Sequence, residues 1–306
     1  NVLANRLKKV LPSIISSDQT AYVKGRFIGE STRLISDILE ITSSLSLEGY
    51  ILTADIEKAF DSMDHTFLFT VLKQLGFGNY FIDWIKVLLQ KNESCVLNGG
   101  TTSKYFELQR GARQGDPIAA YLFIISLEIF FIMVRSDERV KGLEIFDYKF
   151  LLSAYADDTT FFVKDITSVR IIFKIFDTFS EFSGLNLNKT KCEISGIGVM
   201  KGAKTALCNI KNVNLLLDSI KVLGVHYSYN KEVFQSKHFT SVIEKITKVL
   251  QVWNSRSLSL TGKIVVFKTL AISKIVYISY MTSVPDCILT HLEKIHKDFI
   301  WNGKKT

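Results

Sequence analysis

Two apolar segments of this 306-residue chain end in acid. Tyr50-Ile51-Leu52-Thr53-Ala54 has the length and composition of a strand and stops at Asp55. The runs 150–155 and 159–163 flank Ala156-Asp157-Asp158 like the arms of a hairpin. If these strands are neighbours in one sheet, the carboxylates meet at one edge and offer hard oxygen ligands to two divalent cations, roughly 3.5–4 Å apart in sites of this type. Successive strand residues point to opposite faces, so Asp157 and Asp158 are not equivalent, and Asp157 is expected to be the stronger ligand. Asp-Asp is also ordinary turn chemistry, and an isolated pair would be read that way. What moves the balance is that both apolar segments end in acid. Two metals alone fit a nuclease or a phosphatase equally well.

Several elements have to position these acids. Apolar spacing at Val2, Leu3, Leu7, Val10 and Leu11 predicts a helix over 2–15, broken by Ser16-Ser17-Asp18, and 31–47 repeats the helical pattern. Asp64 is placed to cap a helix that carries Phe67, Leu68, Val71, Leu72 and Leu75 on one face and stops at Gly76. A helix over 81–89 leads to the Gly99-Gly100 turn, and 104–108 alternates like a strand. Asp116-Pro117 reads as a helix start, with the helix running to about Val134. That stretch is the most apolar in the chain. It contains Ser126 and Glu128 and is short for a membrane span, so a buried helix is expected. Residues 166–182 are helical and closed by Ser183-Gly184. Beyond Val225 come long basic helices with Ile243, Ile246, Val249, Leu250 and Trp253 on one face.

Three segments, Leu52-Thr53-Ala54-Asp55-Ile56-Glu57-Lys58-Ala59-Phe60-Asp61, Arg110-Gly111-Ala112-Arg113-Gln114-Gly115-Asp116-Pro117 and Ala154-Tyr155-Ala156-Asp157-Asp158, resemble the central motifs of reverse transcriptases, in that order. The form is that of non-LTR (LINE-type) retrotransposons. Residues 1–9 and 17–29 are similar to the family's finger segment, and 183–191 and 222–225 resemble its next two motifs. The end, with Trp253, 259–264 and 299–301, looks like its thumb. The resemblance implies an α+β, right-hand polymerase fold. It has partial fingers over 1–49, a palm with a mainly antiparallel sheet over 50–229 carrying finger elements around 77–110, and a helical thumb over 230–306. The implied activity is RNA-directed DNA synthesis. A primer 3′-hydroxyl attacks the α-phosphate of a deoxynucleotide, assisted by two Mg²⁺ ions, for which Mn²⁺ is a possible substitute. A catalytically silent, nucleic-acid-binding remnant of such an element is the alternative. An RNA-dependent RNA polymerase is a more distant one, against which Phe60 and the Arg113-Gln114-Gly115-Asp116-Pro117 segment argue.

Carried over residue by residue, the resemblance makes Asp55, Asp157 and Asp158 the catalytic carboxylates, and these with Ile56 the metal ligands. Ile56, Phe60, Arg113, Gln114, Gly115 and Lys191 are expected at the deoxynucleotide. Phe60 would lie beneath the sugar and exclude a 2′-hydroxyl, although an ordinary core aromatic is the plainer reading. Lys191 would stand near the triphosphate, with Lys189 a neighbouring candidate. Lys24 and Arg26 are candidates for the template backbone, Leu223 and Gly224 for the turn that grips the primer, and Lys245, Lys248 and Lys263 for thumb contacts to the duplex. The chain departs from the family at Ala119-Ala120, where Ser-Pro or Ser-Ala is usual, and at Ala21, which replaces a glycine.

The charge supports this division. The net charge of +8 splits into +1 over residues 1–230 and +7 over 231–306, so the excess that would attract nucleic-acid phosphates sits in the expected thumb. A composition 47% hydrophobic and 22% charged excludes disorder. Cys95, Cys192, Cys208 and Cys287 lack zinc or disulfide spacing, which points to reduced thiols in an intracellular protein. The expected partners are an RNA template, a DNA primer or target, and deoxynucleotides, with no membrane. A nuclear or cytoplasmic ribonucleoprotein is the setting the resemblance implies. The start at Asn1 reads as a fragment of a longer polyprotein, whose endonuclease and zinc-knuckle regions would lie elsewhere.

Overall fold

The computed structural model describes residues 2–200, 213–215, 219–228, 231–280 and 282–301. Asn1, Cys208 and residues 229–230, at the expected palm–thumb boundary, lie outside them. The described elements begin with α1 (Val2–Ile14) and α2 (Ile28–Ser44), then β1 (Glu48–Ala54), β2 (Ile56–Glu57), α3 (Ala59–Ser62), α4 (His65–Gln74) and α5 (Asn79–Leu89). Four short strands follow, β3 (Asn92–Ser94), β4 (Leu97–Asn98), β5 (Thr101–Thr102) and β6 (Phe106–Leu108), and then α6 (Ala119–Ser136). Next come β7 (Leu143–Ile145), β8 (Tyr148–Phe150), β9 (Leu152–Tyr155), β10 (Asp158–Val163), α7 (Ile166–Ser183), β11 (Asn186–Leu187), β12 (Glu193–Gly198) and β13 (Asn214–Leu215). The hairpin β14 (Ser219–Val222) and β15 (Val225–Ser228) precedes the helices Lys231–Asn254, Leu260–Val266, Ser273–Ser279 and Asp286–Trp301, with a π-helical turn at Phe267–Ile272.

By contacts the chain falls into two compact units, Asn1–Ser31 with Ile41–Leu217, and Thr32–Glu40 with Asp218–Thr306. The first is organised by a five-stranded sheet in the order β13-β12-β1-β10-β9. Its pairings are antiparallel except β12 with β13, which agrees with the mainly antiparallel sheet expected. β1 is central and almost wholly buried, which is why Tyr50-Ile51-Leu52 reads as a continuous apolar run. α6 packs in this unit's core and buries residues around its whole circumference, Leu122, Phe123, Phe130, Phe131 and Val134 among them. This helix is long and apolar enough to cross a membrane by length and composition, yet most of it is enclosed by the core. The ring of Phe130 meets Phe176 edge-on at 4.7 Å, locking α6 to α7.

Caps fall where the sequence put them in two cases. Asp64 accepts from the Phe67 amide at 2.9 Å and starts α4, and Gly184 closes α7 at φ +73°. The start of α6 is different. Asp116 Oδ1 accepts from the Ile118 amide at 3.1 Å and the Asp116 carbonyl accepts from Ala119, so Asp116 and Pro117 build a separate turn and the helix begins at Ala119. Among its described residues the second unit is helical apart from β14–β15 and connecting turns, with Ile246, Leu250, Phe267, Ala271 and Phe299 in its core.

Candidate active site

β1 and β10 run antiparallel with Ala54 opposite Thr159. Carried one residue further, that register sets Asp55 opposite Asp158 at the same sheet edge. β9 and β10 form a hairpin in which Tyr155 pairs with Asp158, leaving Ala156 and Asp157 as a two-residue loop. Ala156 has φ +57°. A positive φ at the first loop residue is what a type II′ hairpin requires. Two of the acids respond to their neighbours. The carboxyl of Asp157 is raised above its ordinary range first by lost hydration and then by the negative charge of Asp55. That of Asp158 is raised by lost hydration, then by Asp157 and Asp55. Negative charge gathered at one edge favours a cation beside it.

Beside it, the Arg110–Ala112 segment is stitched to the strand-to-helix corner after Asp55. Gly111 donates to Met63 O and Ala112 to Phe60 O, each at 2.8 Å, and His65 Nε2 lies 2.7 Å from Gly111 O. Gly111 has φ +75°, and a Cβ there would meet Phe60 O at 2.6 Å, so only glycine allows this approach. Phe60 is half-buried with its ring 4.9 Å from Phe123, placing it between core and site. Arg113, Gln114 and Gly115 are exposed on the turn that follows, and Arg113 donates to Asn92 Oδ1. Ile56 is buried and pairs with Leu187 of β11. The Asp55 carbonyl accepts from Asn188, which anchors the loop that carries Lys191. Lys191 Nζ stands 3.5 Å from Asp55 Oδ2, whereas Lys189 is engaged with Asp177 at 2.9 Å. Of the two lysines, Lys191 is the one at the site.

A sequence profile of the family described as reverse transcriptase (RNA-dependent DNA polymerase) matches residues 1–227. The chain belongs to the reverse transcriptase family. It is 29% identical over 306 residues to the transposon TX1 uncharacterized 149 kDa protein of Xenopus laevis, covering 98% of this chain and 23% of that protein. It is 23% identical over 216 residues to the retrovirus-related Pol polyprotein of the type-2 retrotransposable element R2DM of Drosophila melanogaster, covering 69% of this chain and 20% of that one. The chain therefore spans about a quarter or less of these relatives. Among solved structures it is similar to the Candida tropicalis telomerase in complex with a TWJ fragment of telomeric RNA, with a TM-score of 0.53, 12% identity and coverage of 99% of this chain and 51% of that one. The Candida albicans telomerase gives a TM-score of 0.50 at 13% identity, over 98% and 51%. These structures share the right-hand polymerase fold that the sequence implied.

For this reverse transcriptase chain, the residues expected at nucleic acid divide. Lys24, Lys245 and Lys248 are exposed. Leu223 and Gly224 form the two-residue loop of β14–β15, both at positive φ (+52° and +79°) as in a type I′ turn, and Tyr277 donates to the Leu223 carbonyl at 2.8 Å. Next to this loop a cavity of about 540 Å³ is lined by Lys221, Gly224, His226, Lys245, Lys274 and Tyr277 among others. Two expectations need correcting. Lys263 is 7% exposed, and its ammonium donates to the carbonyls of Phe299 at 2.8 Å and Ile300 at 3.3 Å, near the end of the last helix. It serves as a helix C-cap from another element and is not presented to a phosphate. Arg26 donates to the backbone carbonyls of Ser16, Gln19 at 2.7 Å and Ile15 at 2.9 Å, tying down the turn after α1 instead of facing template.

Sequence reasoning also missed participants. Gln19 is 0% exposed and hydrogen-bonds the Ala156–Asp157 loop. Tyr22, at φ +60°, has its phenol pushed up by burial and then by the charges of Tyr155 and Asp157. Nothing in their residue types announced this, because both sit in a segment that reads as a polar loop.

Reverse transcriptases use divalent metal ions, and the donor set here fits a hard cation. The site offers carboxylate oxygens and backbone, with no histidine in the set. Among the described residues no three His, Cys, Asp or Glu side chains make a ready cage.

Proposed function

We propose that this chain is the polymerase core of a non-LTR retrotransposon polyprotein, which copies an RNA template into DNA by extending a primer 3′-hydroxyl with deoxynucleotides. The observation that carries the reading is the β1–β10 register, which brings Asp55, Asp157 and Asp158 to one sheet edge beside Phe60 and the Arg110–Pro117 turn. Relatives named as transposon and retrotransposable-element proteins support the origin. Two Mg²⁺ ions, or Mn²⁺ in their place, would be held by Asp55, Ile56 and Asp157 with Asp158 beside them, and when bound they supply acidification of the primer hydroxyl and stabilisation of the departing pyrophosphate.

The chain's own groups do the rest. Lys191, 3.5 Å from Asp55 Oδ2, would meet the triphosphate with its ammonium. Phe60, braced by Phe123, closes the space a 2′-hydroxyl would need. Gln114 and Gly115 bring exposed backbone to the nucleotide, and Arg113 adds a cation on the same turn. The Leu223–Gly224 loop, Lys245 and Lys248 engage the duplex through its phosphates, with Lys24 on the template. The β1–β10 palm and the basic helices of the second unit thus take the roles of palm and thumb.

Primer extension on an RNA template with deoxynucleotides and Mg²⁺ tests the reading, with Asp157→Ala as the blank. Extension by the wild type alone is expected, and Phe60→Val should admit ribonucleotides. Wild-type signal no higher than the blank, with duplex binding intact, would instead favour the silent remnant. Equal use of ribonucleotides by the wild type would favour an RNA polymerase.

A further inference from the structure

Ala156 and Asp157 lie outside the β9–β10 ladder, so the backbone groups of Ala156 get nothing from the sheet, yet Ala156 is 5% exposed. Buried backbone groups need partners, and a non-glycine residue at positive φ is unfavourable unless its surroundings impose it. One side chain meets both demands. Gln19 Oε1 accepts from the Ala156 amide at 2.9 Å, and Gln19 Nε2 donates to the Ala156 carbonyl at 3.1 Å. The same oxygen accepts from the Ala21 amide at 2.9 Å. We propose that Gln19 is a positioning residue of the reaction: its carboxamide holds Ala156 in the left-handed conformation and thereby fixes where Asp157 presents its carboxylate.

The carboxamide is itself anchored. The Gln19 carbonyl accepts from Arg26 at 2.7 Å. Asp18 accepts from Arg135 of α6 at 2.9 Å, and Arg135 also holds Ser16 Oγ at 3.0 Å and Glu128. The backbone on either side is bonded to β9, with Ala154 donating to Asp18 O at 2.8 Å and Thr20 donating to Ala154 O at 2.9 Å. Gln19 therefore projects from a segment clamped on three sides, and its amide can act as a rigid template. A glutamine that merely filled its own hydrogen bonds would not need to address both groups of one loop residue.

The inference rests on the polymerase reading for the role of Asp157, and its test separates the two. Mn²⁺ titration followed by electron paramagnetic resonance is run on the wild type, Gln19→Met, Gln19→Met/Ala156→Gly and Asp157→Ala, alongside primer extension. Gln19→Met, close in shape and unable to form the bonds, is expected to weaken Mn²⁺ binding and lower kcat about tenfold or more, while KM for primer–template stays within about twofold. Ala156→Gly, which accepts positive φ freely, should restore a good part of that loss. Wild-type affinity and kcat in Gln19→Met would overturn the proposal, as would a loss confined to KM or untouched by the glycine. If the wild type binds Mn²⁺ no better than Asp157→Ala, the metal reading fails and amide exchange decides the rest. The Ala156 amide should exchange as slowly as the strands beside it in the wild type, and exchange at loop rates would refute the clamp. Should Gln19→Met not fold, Gln19→Glu, which keeps the acceptor and loses the donor, is expected to fold with an intermediate loss, and an unaltered Glu variant counts against the proposal.

Discussion

Lys191 Nζ and Asp55 Oδ2 stand 3.5 Å apart, joined across a loop whose Asn188 amide is bonded to the Asp55 carbonyl at 2.9 Å. The lysine is 66% exposed, so the pair contributes little to stability. On the proposed function, its value lies in keeping a cation where a triphosphate would arrive. Lys191→Met should leave the melting temperature unchanged and lower kcat/KM for deoxynucleotides about 10- to 100-fold, the loss of one charge-assisted hydrogen bond. Steady-state kinetics paired with a thermal melt checks both halves, and an equal loss in Lys189→Met would undo the assignment.

Asp157 carries a sign that can be read twice. Its folded carboxyl is raised by lost hydration and by Asp55, so its contribution to stability is complete below the unfolded value of 3.8 and is lost as the pH rises through the folded value. At neutral pH the ionised group is a liability in the metal-free chain. Asp157→Asn should therefore raise the melting temperature without metal at pH 7 while cutting synthesis by about 100-fold or more. A variant that melts lower would contradict the electrostatic account.

Lys263 and Lys245 should behave oppositely. Lys263→Met strips the cap from the Phe299 and Ile300 carbonyls and should cost about 1–3 kcal/mol of stability, leaving the salt dependence of duplex binding as it was. Lys245→Gln should leave stability alone and reduce the salt slope by about one. Fluorescence anisotropy across a salt series, with melts of both variants, distinguishes them.

His238 is the group through which acid should reach the second unit. Its Nε2 lies 2.8 Å from the His226 amide and 2.9 Å from the His226 carbonyl, and burial outweighs that carbonyl to push its pKa below 6.5, with Lys245 adding to the push. The folded state prefers neutral His238, so its stabilising share is whole above pH 6.5 and declines as the pH falls below it. His238→Gln, which can accept and donate without titrating, should flatten the acid side of the melting profile. A profile unchanged from wild type would show that other groups govern it.

The sequence made the carboxylate edge legible because β1 and β10 are buried strands whose apolar runs stop at acid, and Asp64 and Gly184 were legible because a cap is a local event. Lys263 was not. A lysine on a basic helix reads as solvent-facing, and only the arrival of the last helix's carbonyls turns it inward. Asp116-Pro117 misled for a related reason, since the same side chain that can cap a helix can close a turn one step earlier. Gln19 was illegible because its partner is 137 residues away and its own neighbours, Ser16 to Thr20, carry no periodicity.

The backbone bonds of Asp18 and Thr20 to Ala154 have a consequence for solubility. β9 is the outermost strand of the five-stranded sheet, and without those bonds its far side would present unpaired amides and carbonyls to any passing strand. A shortened chain beginning at β1 would retain Asp55, Asp157 and Asp158 and still expose that ribbon. Self-association, more than lost chemistry, is then the first failure to expect of such a truncation.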